Sequence, residues 1–543
     1  MFYRTSLNSR AQAVACIAKT AEEAHLALPK SRIVYLKKKL FSRLILYTEW
    51  YNRPRIPIGI LSAVWWVCRS KQGEITMQNT CCQMDWDQSG RWFEDAFLYH
   101  IYPLGMLGCE RWNDGGAVHH RLRGLEKLTD HWIQLGVDAV YFGPLFESSS
   151  HGYDTKDYYH IDRRLGDDAD FAHLVDVMHA AGIRVIVDAV FNHVGREFWG
   201  FKEVLEKRDM ARTRHWFKNL RFDGRGRDGV ACSNWEGHDE LVKLDLLNPE
   251  VEEHLLGAVE WWVSQFHIDG LRLDAADCLE PEFVRHLRGF CDHLKPDFLL
   301  VGEVIHGDYR TWANDEMMHG TTNYEAYKGL WSSHNDGNFH EIAYTLNRQF
   351  GEGGIYRDLQ MYNFADNHDV DRVASKLRSP FSLYSLYAMM FLMPGTPSVY
   401  YGSEWGILGR KGRGYDADIP IRPAISVDAL TDGHIDQTQE GSALERAIAR
   451  LAHLRKTHSA LRNGSYRQIQ VSPQTLIFER ANGEETLVCL ISDEPVAKEI
   501  AIPGLFGTWK DVLCGGTPIC AENGQLTVEL FPHWARVLWR MSN

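Results

Sequence analysis

Short apolar runs recur along the chain from about residue 95. They are AFLYHIYPL (96–104), VDAVYFGPL (137–145), IRVIVDAVF (183–191), DGLRLDAA (269–276), FLLVGEV (298–304), LQMYNFADNHD (359–369) and PSVYYGSE (397–404), with a weaker run near GTTNYEAY (320–327). Amphipathic stretches such as GLEKLTDHWIQLG and DFAHLVDVMHAAG lie between them, the second ending on Gly182 as a helix stop. Strand and helix alternating about eight times predict an α/β fold, a closed (β/α)8 TIM barrel. A doubly wound open sheet is the rival, and roughly eight units favour closure.

Two stretches break this rhythm. Between FNHVG (191–195) and LVKLDLLNPEV (241–251) the chain is polar and Gly-rich, which predicts a short subdomain inserted after strand 3, at about 195–243. After residue 463 the runs TLIFER, ETLVCLIS, KEIAIPG, QLTVELF and ARVLWRM are separated by turn signals and predict a C-terminal antiparallel β-sandwich over 463–543. The barrel is therefore expected over 77–462.

Composition sharpens the N-terminal boundary. Residues 1–76 hold 13 Lys+Arg against 4 Asp+Glu, whereas the whole chain carries a net charge of −13. This basic segment is expected to be a dispensable extension, either foreign to the natural product or disordered. Its apolar stretch IPIGILSAVWWVC (56–68) is too short to span a membrane. No secretory leader pattern opens the chain, so a cytoplasmic location is expected. The 11 cysteines include no CxxC pair and no Cys/His zinc pattern, as suits free thiols in a reducing compartment. The acidic balance argues against a nucleic-acid partner. Aromatics at 12% suit stacking against sugar faces, though a large aromatic core would account for them equally.

The candidate chemistry lies at the ends of the apolar runs, where a parallel barrel places its site. In order these ends carry Asp188, Asn192 and His193; Arg272 and Asp274; Glu303 and His306; and His368 and Asp369. In DGLRLDAAD, Leu271 and Leu273 alternate with Arg272 and Asp274, so on a strand the two charges share one face. There is no GxSxG elbow and no HExxH helix, and the GxGxxG match GRGRDG (224–229) follows no apolar strand. Three convergent acids with an arginine and histidines suit cleavage of a glycosidic bond, in which one carboxylate attacks and another protonates the leaving oxygen.

DAVFNH (188–193), GLRLDAAD (270–277), GEVIH (302–306) and FADNHD (364–369) resemble, in order, the four signature regions of the α-amylase superfamily, glycoside hydrolase family 13. LVKLDLLNPEV resembles the added signature of its cyclomaltodextrinase, neopullulanase and maltogenic-amylase-like branch, and HGYDTKDYYHID (151–162) and GTPSVYYGSEWG (395–406) resemble further family segments. The resemblance covers about 95–430. It implies a retaining α-glucan hydrolase acting on maltooligosaccharides, cyclodextrins and related dextrins through a covalent glycosyl-enzyme. Transglycosylation is the alternative outcome of the same intermediate, and the role of a non-enzymatic transporter subunit is disfavoured by the intact acids.

By the same resemblance Asp274 is the nucleophile, Glu303 the acid and then base, and Asp369 the binder of sugar hydroxyls. Arg272 keeps Asp274 ionised, His193 and His368 hydrogen-bond the sugar, Tyr153 stacks beneath it, and Asp188 and Arg372 support that subsite. Retention implies carboxyl groups about 5–5.5 Å apart. No cofactor is expected to be required. Asn192 matches a ligand position of calcium-binding members and leaves a calcium ion as an option. The resemblance departs at Asp277 and Cys278, where α-amylases often carry Lys-His on the leaving-group side. The expected partner is an oligosaccharide, with no stable membrane insertion.

Overall fold

The computed structural model describes residues 90–224, 226–414, 416–427, 439–483 and 485–541. The expectation for residues 1–76 lies outside the described residues. Eight strands close a parallel barrel: β1 (Leu98–Ile101), β2 (Ala139–Phe142), β3 (Arg184–Ala189), β7 (Gly270–Leu273), β8 (Leu299–Gly302), β9 (Gly320–Thr322), β10 (Gln360–Phe364) and β11 (Thr396–Tyr400). The intervening numbers belong to the insertion, β4 (His193–Gly195), β5 (Asn234–Trp235) and β6 (His238–Lys243). The weak run near 320 is the short sixth barrel strand, β9.

Alternation along the strands sorts side chains between two cores. Leu98, Ala139, Tyr141, Ile186, Leu299, Val301, Tyr362 and Phe364 fill the barrel interior in one cluster. Val185, Val187, Leu271 and Leu273 point the other way and join the cluster formed with the helices. Arg272 and Asp274 accordingly face the barrel mouth, as their alternation predicts.

The helices follow from local chemistry. Asp168–Ala180 opens on a capping box between Asp167 and Asp170 and buries Phe171, Leu174, Val175 and Met178 at helical spacing. Gly182 beyond it takes a positive φ of 77°. In the added signature, Asn248 caps the helix Pro249–Phe266 through its side chain, with Pro249 in the first turn.

The insertion is more ordered than its polar composition predicts. It contains the helix Trp199–Lys207 and an antiparallel sheet in the order β4-β6-β5. β4 has three residues and β5 only two, too few to establish a period, while β6 has six. The C-terminal region has a six-stranded sheet packed with a two-stranded one around Ile477, Val488, Ile502, Trp509 and Leu526. Its first strand, Ser465–Ser472, was hidden by its polar sequence.

A partly buried polar contact joins the helix Thr129–Leu135 to the segment after β11 and to the helix Gln439–Thr457. His131 Nε2 lies 3.1 Å from Glu404 Oε1, and its Nδ1 lies 3.2 Å from Glu445 Oε1. Burial lowers the imidazole pKa, but hydrogen bonds to Glu404 and Glu445 outweigh it and hold the group at about 9. Because this value is raised on folding, the contribution to stability is complete below pH about 6.5 and is lost as pH rises through about 9. The wild-type thermal midpoint should therefore fall between these pH values, with up to about 3 kcal/mol of stability at stake. A His131→Asn variant should show a flatter profile. Parallel profiles for the two proteins would refute the linkage.

Candidate active site

Three barrel strands deliver carboxylates to one guanidinium. Arg272 Nη1 donates to Asp188 Oδ1 at 2.9 Å and to Asp274 Oδ1 at 2.9 Å, while Nη2 pairs with Glu303 Oε2 at 2.8 Å. Asp188 comes from β3, Arg272 from β7, and Asp274 and Glu303 directly follow β7 and β8. All four residues are buried. Burial of this many charges is tolerable because all three acids share the arginine and because Asp188 and Glu303 have further donors. Asp188 also accepts from Tyr141 OH at 2.9 Å and Tyr153 OH at 3.0 Å. Glu303 accepts from the Ala275 backbone N–H at 3.2 Å and Tyr324 OH at 3.2 Å.

Asp369 lies opposite this triad and keeps its side chain 35% exposed. His368 Nε2 is 2.9 Å from its Oδ2, and Arg422 Nη2 donates to its Oδ1 at 2.8 Å. His368 is sandwiched between near-parallel rings, Tyr102 at 5.7 Å and Tyr153 at 5.5 Å. The Tyr153 hydroxyl also meets His368 Nε2. Arg422 ties this wall together by donating to the His368 carbonyl at 2.8 Å and to Tyr102 OH at 3.2 Å.

His193 enters from the insertion side. Its Nδ1 faces the Asn192 side-chain amide at 3.1 Å, and its buried Nε2 has no hydrogen-bond partner and lies 3.9 Å from Asp274 Oδ2. Burial, with cations nearby, lowers its pKa to about 3, so the ring is neutral and Nε2 is available to a ligand.

The electrostatics separate the acids. Burial pushes the Asp274 carboxyl well above its ordinary value; Arg272 opposes this, while the charges of Glu303, Asp188 and Asp369 add to it. Burial also works against Asp369, but His368, Arg422 and Arg272 outweigh it and hold that carboxyl well below its ordinary value. The pocket therefore resists one negative charge at Asp274 while fixing another at Asp369.

The structure brings together Asp274, Glu303, Asp369, Asp188, Arg272, His193, His368 and Tyr153. It does not bring Arg372 to the same place. That side chain is fully buried between Tyr400 and Tyr401 and donates to the carbonyls of Tyr401 at 2.6 Å and Ile421 at 3.0 Å. Arg372 is thus a brace for the loop that carries Arg422, not a lining residue, because its reach is spent on backbone carbonyls below the mouth. His306 is exposed beyond β8 rather than part of the cluster.

Tyr324, Tyr102 and Arg422 escaped the sequence reading. The only local signal was the Asn-Tyr pair directly after β9, where Asn323 caps the helix that Tyr324 begins. Nothing in the Gly-rich stretch before Arg422 marks it.

Calcium fits poorly at Asn192. Its Oδ1 is a buried acceptor without a partner, but such an ion takes about 6–8 oxygens. Among the described residues the one cluster of His, Cys, Asp or Glu at metal-binding spacing is His120, Asp167 and Asp170, which does not involve Asn192. In that cluster Asp170 is already paired with Arg123 at 2.5 Å.

A family profile described as "Alpha amylase, catalytic domain" matches residues 110–453. A cyclomaltodextrinase from Bacillus sp is 29% identical over 451 residues, covering 79% of this chain and 78% of the relative. An intracellular maltogenic amylase from Bacillus subtilis is 32% identical over 348 residues, covering 60% of this chain and 58% of the relative. Among solved structures, the ligand-free cyclic alpha-maltosyl-(1→6)-maltose hydrolase from Arthrobacter globiformis superposes with a TM-score of 0.69 at 27% identity, covering 83% of this chain and 100% of that one.

Proposed function

The chain belongs to the α-amylase family and is a glycoside hydrolase, and from that premise we propose that it cleaves α-glucosidic bonds of maltooligosaccharides and cyclodextrins with retention of configuration. The observation that carries this reading is the single Arg272 guanidinium bridging Asp274 and Glu303. Asp274 attacks the anomeric carbon while Glu303 gives its proton to the glycosidic oxygen, breaking the carbon–oxygen bond and releasing the shortened chain. A covalent glycosyl ester on Asp274 results. Glu303, now a base, takes a proton from water, which displaces Asp274 from the anomeric carbon. Arg272 opposes the effect of burial on the nucleophile's charge and aims its carboxylate. Asp369, His368 and His193 hold the sugar hydroxyls, with Tyr153 against the ring. Asp188 fixes Arg272 and Tyr153 from below.

The named relatives support small dextrins as substrates, and the intracellular relative supports a cytoplasmic setting. No described helix is long and apolar enough to cross a membrane. Incubation with maltotriose, maltohexaose, a cyclodextrin and pullulan, read by chromatography, should yield shorter sugars. Absence of release from all four would refute the proposal. Products longer than the starting maltotriose would assign the transferase outcome instead.

The electrostatics predict the acid side of the pH profile. Protonation of Asp274 removes the nucleophile, and its carboxyl is pushed up chiefly by burial. The acid limb of kcat/KM, which reports the free enzyme, should therefore lie above about pH 4, the ordinary carboxylate value. A limb below that value would contradict the raised group.

A further inference from the structure

The leaving-group side of the site draws a cation from the insertion. In the antiparallel pairing of β4 with β6, Lys243 stands directly opposite His193. Cross-strand partners project from the same face, so Lys243 shares the face on which His193 approaches Asp274. Its half-buried ammonium donates to the carbonyl of Cys278 at 3.3 Å, four residues past the nucleophile.

The Cys278 turn flanks Glu303. The backbone N–H groups of Ala275 and Ala276 donate to the Glu303 carboxylate at 3.2 Å and to its carbonyl at 2.9 Å. Asp369, His368, Arg422 and Tyr153 form the other wall. A sugar held by that wall, with its anomeric carbon at Asp274, presents the scissile oxygen to Glu303. The next ring then extends toward Ala275–Cys278 and Lys243. The ammonium has three N–H groups, and one carbonyl satisfies one of them. Among the described residues no carboxylate lies within ion-pair distance of it. Its remaining N–H groups are free to donate to water or to oxygens of a bound sugar.

We propose that Lys243 is a specificity-determining residue that donates hydrogen bonds to hydroxyls of the sugar on the leaving side of the cleaved bond. This rests on the glucan-hydrolase reading.

The test compares leaving groups with and without hydroxyls. For Lys243→Met, kcat/KM on maltotriose should fall about 10- to 100-fold, the range for hydrogen bonds from a charged donor. On 4-nitrophenyl α-maltoside, cleaved to nitrophenol, it should change by about twofold or less. Lys243→Gln, which keeps an N–H donor, should recover part of the maltotriose activity. Equal losses on both substrates in a Lys243→Gln protein with a wild-type thermal midpoint would overturn the proposal, as would no loss on maltotriose in Lys243→Met. Wild-type enzyme idle on both substrates would overturn the glucan reading, and the lysine assignment with it.

Discussion

Replacing Asp274 by Asn is expected to reduce turnover of maltooligosaccharides by on the order of 10,000-fold or more. The amide is nearly isosteric but neutral and cannot form the glycosyl ester. The fold should survive, because Arg272 keeps two other carboxylate partners, Asp188 and Glu303. Loss of a charge that burial and three neighbouring carboxylates disfavour should not lower stability. Calorimetric binding of maltotriose should persist, because Asp369, His368 and His193 remain. Substantial residual hydrolysis, after exclusion of contaminating wild-type protein, would move the nucleophile elsewhere.

Glu303→Gln is expected to slow maltooligosaccharide cleavage by about 100- to 10,000-fold, the usual contribution of a positioned acid or base. The distribution of the loss is the more telling prediction. An aryl leaving group departs without a proton, so 4-nitrophenyl α-maltoside should still form the ester on Asp274. Hydrolysis of that ester needs Glu303 as base and should stall. Rapid mixing should therefore show a burst of nitrophenol close to one equivalent per enzyme, followed by a slow steady state. Equal slowing of both substrates without a burst would assign the acid–base role to another group.

Both effects concern residues whose position was readable from short-range pattern. Arg272 and Asp274 are two apart on a strand, and alternation alone puts them on one face. Strand ends in a parallel barrel converge, so Asp188, Glu303 and Asp369 could be gathered by counting apolar runs. Arg372, which only the family resemblance assigned to the subsite, is a different case. It follows the same strand as Asp369, but it turns beneath the mouth, and Arg422 reaches Asp369 from 53 residues away. The insertion was legible as a break in rhythm, while its sheet was not, because two of its three strands have only two or three residues and carry no usable period.

The sequence by itself determined the architecture and the reaction class. Both follow from information held within a few residues: the alternation that sorts side chains between the barrel interior and the helical layer, and the acids directly after buried strands. Tertiary structure alone decided that one guanidinium serves three carboxylates, that Tyr324 touches Glu303, that Arg422 rather than Arg372 meets Asp369, and that Lys243 faces the nucleophile's turn. Those contacts join segments far apart in the chain. Their geometry depends on how loops fold over the barrel mouth, and the buried charges there persist only where distant partners arrive to satisfy them.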